Sequence, residues 1–222
     1  MCGRFDFHTP PPLIARQWFG NAINVEEGQA RYNVPPGTDI LVVREQDGGT
    51  RFDKAHWGYR PYWAGEGAPQ PINAKSETVA TSRFFQTAFQ HKRCLVPANG
   101  WFEWTETAGG KQPHYITLLD AGPQDILFFA GIWETSRDGS LCIAILTEPA
   151  APNLAHIHSR QPVVLDPACR YEWLSEEITE RHQIKSEAQR LDPQRVVSWP
   201  VTPAMNRPDF DGPEAIEPFD CE

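Results

Sequence analysis

The chain has 222 residues, of which 40% are hydrophobic, and a formal net charge of −9. That is enough apolar material for a sizeable core, and no apolar run approaches the length of a membrane span, so no membrane association is expected. The acidic balance argues against a general duplex-DNA binder, and the absence of a basic-then-apolar leader points to a cytoplasmic protein.

Twenty-one prolines and 16 glycines predict many turns and few long helices. After Cys2-Gly3-Arg4-Phe5 a short helix is expected, capped by Thr9, with Pro10 to Pro12 in its first turn and Gly20 at its end. Asn21 to Ala30 reads as loop. Strands are expected over Ile40–Arg44 and Arg51–Trp57, joined by the hairpin signal Asp47-Gly48-Gly49. Ala64 to Pro71 is a Gly/Pro loop. A helical stretch is expected to open at Pro71-Ile72-Asn73 and run to about His91, with Phe84, Phe85 and Phe89 on one side. Cys94 to Trp104 reads as strand, turn, strand. Further strands are expected at Tyr115–Leu119, Ile126–Trp133, Leu141–Thr147, Val163–Leu165 and Val196–Val201. Asp166-Pro167 should cap a helix through Trp173, and Ser175 to Arg190 is a charged, helix-compatible surface segment. These elements predict an α+β fold: one domain over residues 1–222, with a mainly antiparallel, partly barrel-like β core flanked by short helices, and an acidic, Pro-rich tail from about residue 206.

Charge is unevenly spread. Residues 51–104 hold seven Lys/Arg against four Asp/Glu, a net of +3, whereas residues 201–222 hold one against six, a net of −5. A basic surface can therefore coexist with an acidic tail. The five cysteines, Cys2, Cys94, Cys142, Cys169 and Cys221, are odd in number and form no C-x-x-C pair. A disulfide framework or zinc ribbon is not expected.

Several residues carry chemistry. Cys2 becomes the N-terminus if Met1 is removed, placing an α-amine and a thiol on one carbon. An aldehyde would then condense with the amine, and the thiol would close a thiazolidine; both groups titrate near neutrality, at about 8 to 8.5. Glu103, between Phe102 and Trp104, should be partly desolvated and so suited to moving protons, unless it simply points to water from an alternating strand. His158 is a candidate acid or base at neutral pH. His156 and His158 would share a strand face, but no third metal ligand is evident, so no metal or other cofactor is expected. Asn73 is either a cap at a helix start or a donor to a hydroxyl. Arg4, Arg31, Lys75 and Arg160 could contact phosphates, and Trp63 and Trp101 could stack on bases.

Taken together, Met1-Cys2-Gly3-Arg4, Arg31-Tyr32-Asn33-Val34-Pro35, Trp57-Gly58, Asn73 to Thr78, Cys94 to Trp104, Ala130-Gly131-Ile132-Trp133-Glu134 and Ile157 to Pro162 resemble the blocks of the SOS response-associated peptidase (SRAP) family of abasic-site processing proteins. The resemblance runs from residue 2 to about 218. It implies a self-processing peptidase that loses Met1 and crosslinks Cys2 to an abasic site in single-stranded DNA as a thiazolidine, shielding the lesion during the DNA-damage response. It implies catalytic roles for Cys2, Asn73, Glu103 and His158, and DNA contacts from Arg4, Asn33, Trp63, Lys75, Trp101 and Arg160. The implied partner is abasic single-stranded DNA, bound by a monomer that associates with the nucleoid when crosslinked. Two departures stand out: Lys75 replaces the family's arginine and loses bidentate phosphate binding, and Ser159 and Gln161 flank Arg160 in place of the commoner Asp and Met. Other readings are a non-catalytic single-strand nucleic-acid binder, or an N-terminal-cysteine amidohydrolase, since glutamine amidotransferases also open Met-Cys-Gly.

Overall fold

The computed structural model describes residues 2–20, 22–65, 67–122 and 125–219. Met1 and Cys221 lie outside them. The strands are β1 (Phe5–Phe7), β2 (Arg31–Val34), β3 (Asp39–Gln46), β4 (Gly49–Trp57), β5 (Asn73–Lys75), β6 (Arg93–Ala98), β7 (Gly100–Thr107), β8 (Gly110–Leu118), β9 (Leu127–Thr135), β10 (Leu141–Pro149), β11 (Arg160–Pro162), β12 (Val164–Leu165) and β13 (Val196–Pro200). The α-helices are α1 (Pro11–Ile14), α2 (Gln86–His91), α3 (Arg170–Leu174) and α4 (Arg181–Glu187). None is long and apolar enough to cross a membrane.

The strands form a five-stranded sheet in the order β13-β8-β7-β1-β2 and an eight-stranded sheet. In the larger sheet β10, β4, β3, β6 and β9 pair in succession, and β9 pairs back onto β10, so the hydrogen bonding closes into a ring. The fold is the expected α+β type with a mainly antiparallel core. The β3–β4 hairpin turns on Asp47 (φ 54°) and Gly48 (φ 75°), both in the left-handed region that a two-residue turn requires.

Alternation along the ring strands explains how both of its faces are buried. On β3, Val43 joins the cluster under the helices with Phe89, Trp173 and Ile184, while Ile40 and Val42 join the opposite cluster with Phe5, Trp101 and Ile116. On β10, Cys142, Ala144 and Leu146 take the first side and Ile143 and Ile145 the second. Such strands read as continuous apolar runs. The outer face of the smaller sheet, with Phe102 and Tyr115, is covered by the C-terminal segment through Val201, Met205 and Ala215.

Two of these expectations are corrected. The stretch from Asn73 to His91 is not one helix. Asn73–Lys75 is a strand, turns follow, and only Gln86–His91 is helical. The reason is the open edge of β10: β4 pairs in parallel with Cys142 and Ile143, then β5 takes over at Ile145, Leu146 and Thr147. The strand, turn, strand expected over Cys94 to Trp104 is present as β6 and β7, which belong to different sheets. Asn99 makes the corner, its Oδ1 accepting from the His8 and Thr9 backbone N–H groups at 2.9 and 3.1 Å. Second, Thr9 does not cap the first helix; its Oγ1 accepts from Asn99 Nδ2 at 2.7 Å, and the helix runs on from α1 as a π-helical turn over Ala15–Phe19.

Candidate functional site

Strand β1 carries the N-terminal residues into the molecule. Phe5 pairs with Trp101, and the Phe102 N–H donates to the Arg4 carbonyl at 3.0 Å, so the antiparallel register leads Cys2 toward Glu103. Cys2 is wholly buried in the cluster that also holds Ile145 and Ile157. Ile145 is the register partner of Asn73, and Ile157 precedes His158. Thus β1, β7 and the segment before β11 bring Cys2, Glu103 and His158 together, and β5 sets Asn73 beside Ile145 of the same apolar cluster.

Glu103 is only 2% exposed, and its Oε2 lies 3.9 Å from His158 Nδ1. Burial lifts the Glu103 carboxyl from 4.5 to about 7. It therefore exchanges a proton near neutrality, which an exposed glutamate does not. Burial also holds His158 below its ordinary value, so the imidazole is neutral at pH 7. Its Nδ1 lies 3.0 Å from the Arg160 amide nitrogen, which donates to it when the ring proton is on Nε2, and 3.0 Å from the Arg160 carbonyl oxygen, which accepts when Nδ1 carries the proton. Burial, with the Glu103 charge added, pushes the Cys2 thiol up and keeps it protonated. Asn73 Nδ2 reaches the Ile145 carbonyl at 3.5 Å, while its buried Oδ1 has no hydrogen-bond donor among the described residues.

A depression of about 520 Å³ opens on Glu103 and His158, walled by Trp104, Glu106, Lys111, Ala155, Ile157 and Ser159. Trp104 was not singled out as a contact residue in the sequence, although it stands beside Glu103; its Nε1 donates to Asn206 Oδ1 at 2.6 Å. A larger hollow of about 720 Å³ is lined by Phe7, Leu41, Phe52 and Arg31 among others, and by none of the four expected catalytic residues. Of the four, the smaller depression is lined by Glu103 and His158.

The expected DNA-contact residues divide. Lys75 is exposed at the end of β5, and Trp63 is 49% exposed with its ring edge against Phe84, centroids 5.3 Å apart. Trp101 is wholly buried against Phe129, so its ring is core rather than a stacking surface. Asn33 is also wholly buried: its Nδ2 donates to the carbonyls of Met205, Arg207 and Phe210, and its Oδ1 accepts from Arg4 Nη1 at 2.6 Å. Its short polar side chain gave no hint of this in the sequence. Arg4 is part-buried, and burial lowers its guanidinium below the ordinary value. Arg31 lies 3.8 Å from Asp211. Arg160 donates to both Glu77 oxygens, at 2.7 and 3.0 Å. His156 and His158 do not share a strand; they stand in turns after Ala151, with the His158 N–H reaching the Leu154 carbonyl at 3.3 Å. Among the described residues no cluster of three or more His, Cys, Asp or Glu side chains could hold a metal ion.

The sequence pattern of the SOS response associated peptidase (SRAP) family matches residues 1–208. The abasic site processing protein YedK of Escherichia coli K12 is 38% identical over 229 residues, covering 98% of this chain and 100% of that protein. The abasic site processing protein YoqW of Bacillus subtilis is 30% identical over 226 residues, covering 98% and 99%. A crystal structure of a Bacteroides thetaiotaomicron protein shares the fold with a TM-score of 0.83 at 20% identity, covering 98% of this chain and all of that one. A phage-related protein of Bordetella bronchiseptica gives a TM-score of 0.74 at 30% identity, covering 90% and 94%.

Proposed function

This chain belongs to the SOS response associated peptidase family, and from that premise we propose that it processes abasic sites in single-stranded DNA through a covalent bond to Cys2. The observation that carries the reading is the burial of Cys2 and Glu103 together, with His158 3.9 Å from the carboxylate.

Loss of Met1, assisted by Glu103, frees the Cys2 α-amine. The ring-opened sugar of an abasic site presents an aldehyde. His158, neutral at pH 7, takes the ring hydroxyl proton as the sugar opens, and the buried Asn73 Oδ1 accepts a hydrogen bond from a sugar hydroxyl. Because the Cys2 thiol is held protonated, the amine attacks first. The carbinolamine then loses water, which needs a proton on the departing oxygen; a carboxyl near 7 supplies it and recovers it later. The imine is the intermediate of a covalent catalyst. A lone amine would leave it open to β-elimination and strand cleavage. Addition of the S–H across C=N instead gives the thiazolidine with no change of oxidation state.

Intact mass tests this directly. The chain should be one methionine short, and should gain the mass of an oligonucleotide carrying one abasic site in a heat-stable adduct. Cys2→Ser should lose that adduct while retaining affinity for the strand. A heat-stable adduct of the same yield from Cys2→Ser would refute the thiazolidine. Equal binding of intact and abasic strands with no adduct from either protein would favour a non-catalytic binder.

A further inference from the structure

Arg160 is the cation nearest His158 in sequence, and its own backbone holds that ring. Its guanidinium is spoken for. Nη1 donates to Glu77 Oε1 at 2.7 Å and Nη2 to Glu77 Oε2 at 3.0 Å, the fork-on-fork geometry that guanidinium also adopts on two phosphate oxygens. On its other side Nη2 donates to the Thr147 carbonyl at 2.7 Å and Nε to Thr147 Oγ1 at 3.3 Å. Thr147 is wholly buried, so that side is a fixed socket. Glu77 is different: its carboxylate is 44% exposed, on the turn that follows β5. The other nearby acid, Glu148, is engaged by Arg190 at 2.8 Å.

We propose that the Glu77 carboxylate is an internal stand-in for a phosphodiester, so that a DNA strand gains Arg160 only by displacing Glu77. This rests on the reading of the site as one that binds single-stranded DNA. The socket formed by Thr147 keeps Arg160 aimed outward whichever anion it faces. The exposed Glu77 side chain can rotate away into water at little cost. The exchange therefore leaves His158 in place, because the ring is held by the Arg160 backbone and not by its guanidinium. Glu77 thereby sets a threshold for binding: a strand that follows the groove and places a phosphate at Arg160 passes it, and a stray anion does not.

The test is binding of an undamaged single-stranded oligonucleotide to the full chain, followed by fluorescence anisotropy across a salt series. Glu77→Gln should bind about five-fold tighter at low salt. Its log Kd against log salt should keep the wild-type slope, because both proteins end with the same phosphate on Arg160. Adding Arg160→Gln to Glu77→Gln should erase the gain and make the slope shallower by about 0.7, the loss of one single-strand phosphate. An unchanged affinity would overturn the proposal. So would a Glu77→Gln protein that melts lower and binds more weakly, which would make Glu77 a clasp between β5 and β11 and nothing more. If neither the wild type nor the variant binds single strands, the underlying reading of the site fails, and this proposal with it.

Discussion

Glu103 shows what one residue costs and supplies. In the unfolded chain its carboxyl ionises near 4.5, and in the fold near 7. Between those values the folded protein holds a proton that the unfolded chain has released, so stability falls as pH rises through this window and stays reduced above it. The cost at pH 8 is about 3 kcal/mol. Glu103→Gln should therefore melt higher than the wild type at pH 8, and that advantage should vanish below pH 4.5; thermal melts across pH measure it. The same variant should lose most of the crosslinking rate, since an amide cannot pass a proton. A variant no more stable than the wild type at pH 8 would mean that the carboxyl is not strained by burial. The desolvation of Glu103 was legible from its aromatic neighbours, but its depth was not. Simple alternation would turn either Phe102 or Glu103 toward water, yet Trp101, Phe102 and Glu103 are all buried. Trp101 packs in the core between the sheets, and the opposite face with Phe102 is covered by a segment a hundred residues later, which no local pattern around residue 103 reveals.

Among the elements, β7 is held by a close approach. It carries Glu103, and it starts at Gly100, where a Cβ would come within 2.5 Å of the Tyr115 ring. That ring has no room to retreat. Its hydroxyl donates to the buried Asp6 at 2.9 Å, and Asp6 in turn accepts from His8 Nδ1 at 2.6 Å. Gly100→Ala must push apart β7 and β8 or break the Asp6 network, at a cost of about 2 kcal/mol. The expected outcome is a lower melting temperature with slower crosslinking, because Glu103 moves with its strand. Unaltered melting would show that the ring yields more easily than its hydrogen bond implies. Element types were legible where burial made them so: β9 and β10 are continuous apolar runs because both their faces are covered. The strand at Asn73 was not. Its residues fit a helix start, and what decides the matter is the vacant edge of β10, some seventy residues away.

At the scale of the whole molecule, the two ends of the described chain are locked together through Asn33. Its amide nitrogen donates to the carbonyls of Met205, Arg207 and Phe210 at 3.0, 3.0 and 2.8 Å. Its oxygen accepts from Arg4, two residues beyond Cys2. The backbone N–H groups of Tyr32 and Asn33 both donate to Asp211 Oδ1, at 2.5 and 2.7 Å, which covers the exposed edge of β2 with an acid from the same segment. The acidic tail of the sequence is thus in part a structural lid on the smaller sheet. Asn33→Ala removes the amide and leaves buried carbonyls and the Arg4 guanidinium without this partner. The cost should be about 3 kcal/mol, or a fall in melting temperature of roughly 6–12 °C for a chain of this size. Limited proteolysis should then cut first between residues 205 and 211. Asp211→Asn is the informative companion: it keeps one acceptor oxygen for the β2 edge but loses the ion pair with Arg31, so it should cost far less and leave Arg4 untouched. If Asn33→Ala slows crosslinking beyond what its lower stability explains while Asp211→Asn does not, the effect passes through Arg4 to Cys2. Equal effects from the two variants would place it in the covering segment instead.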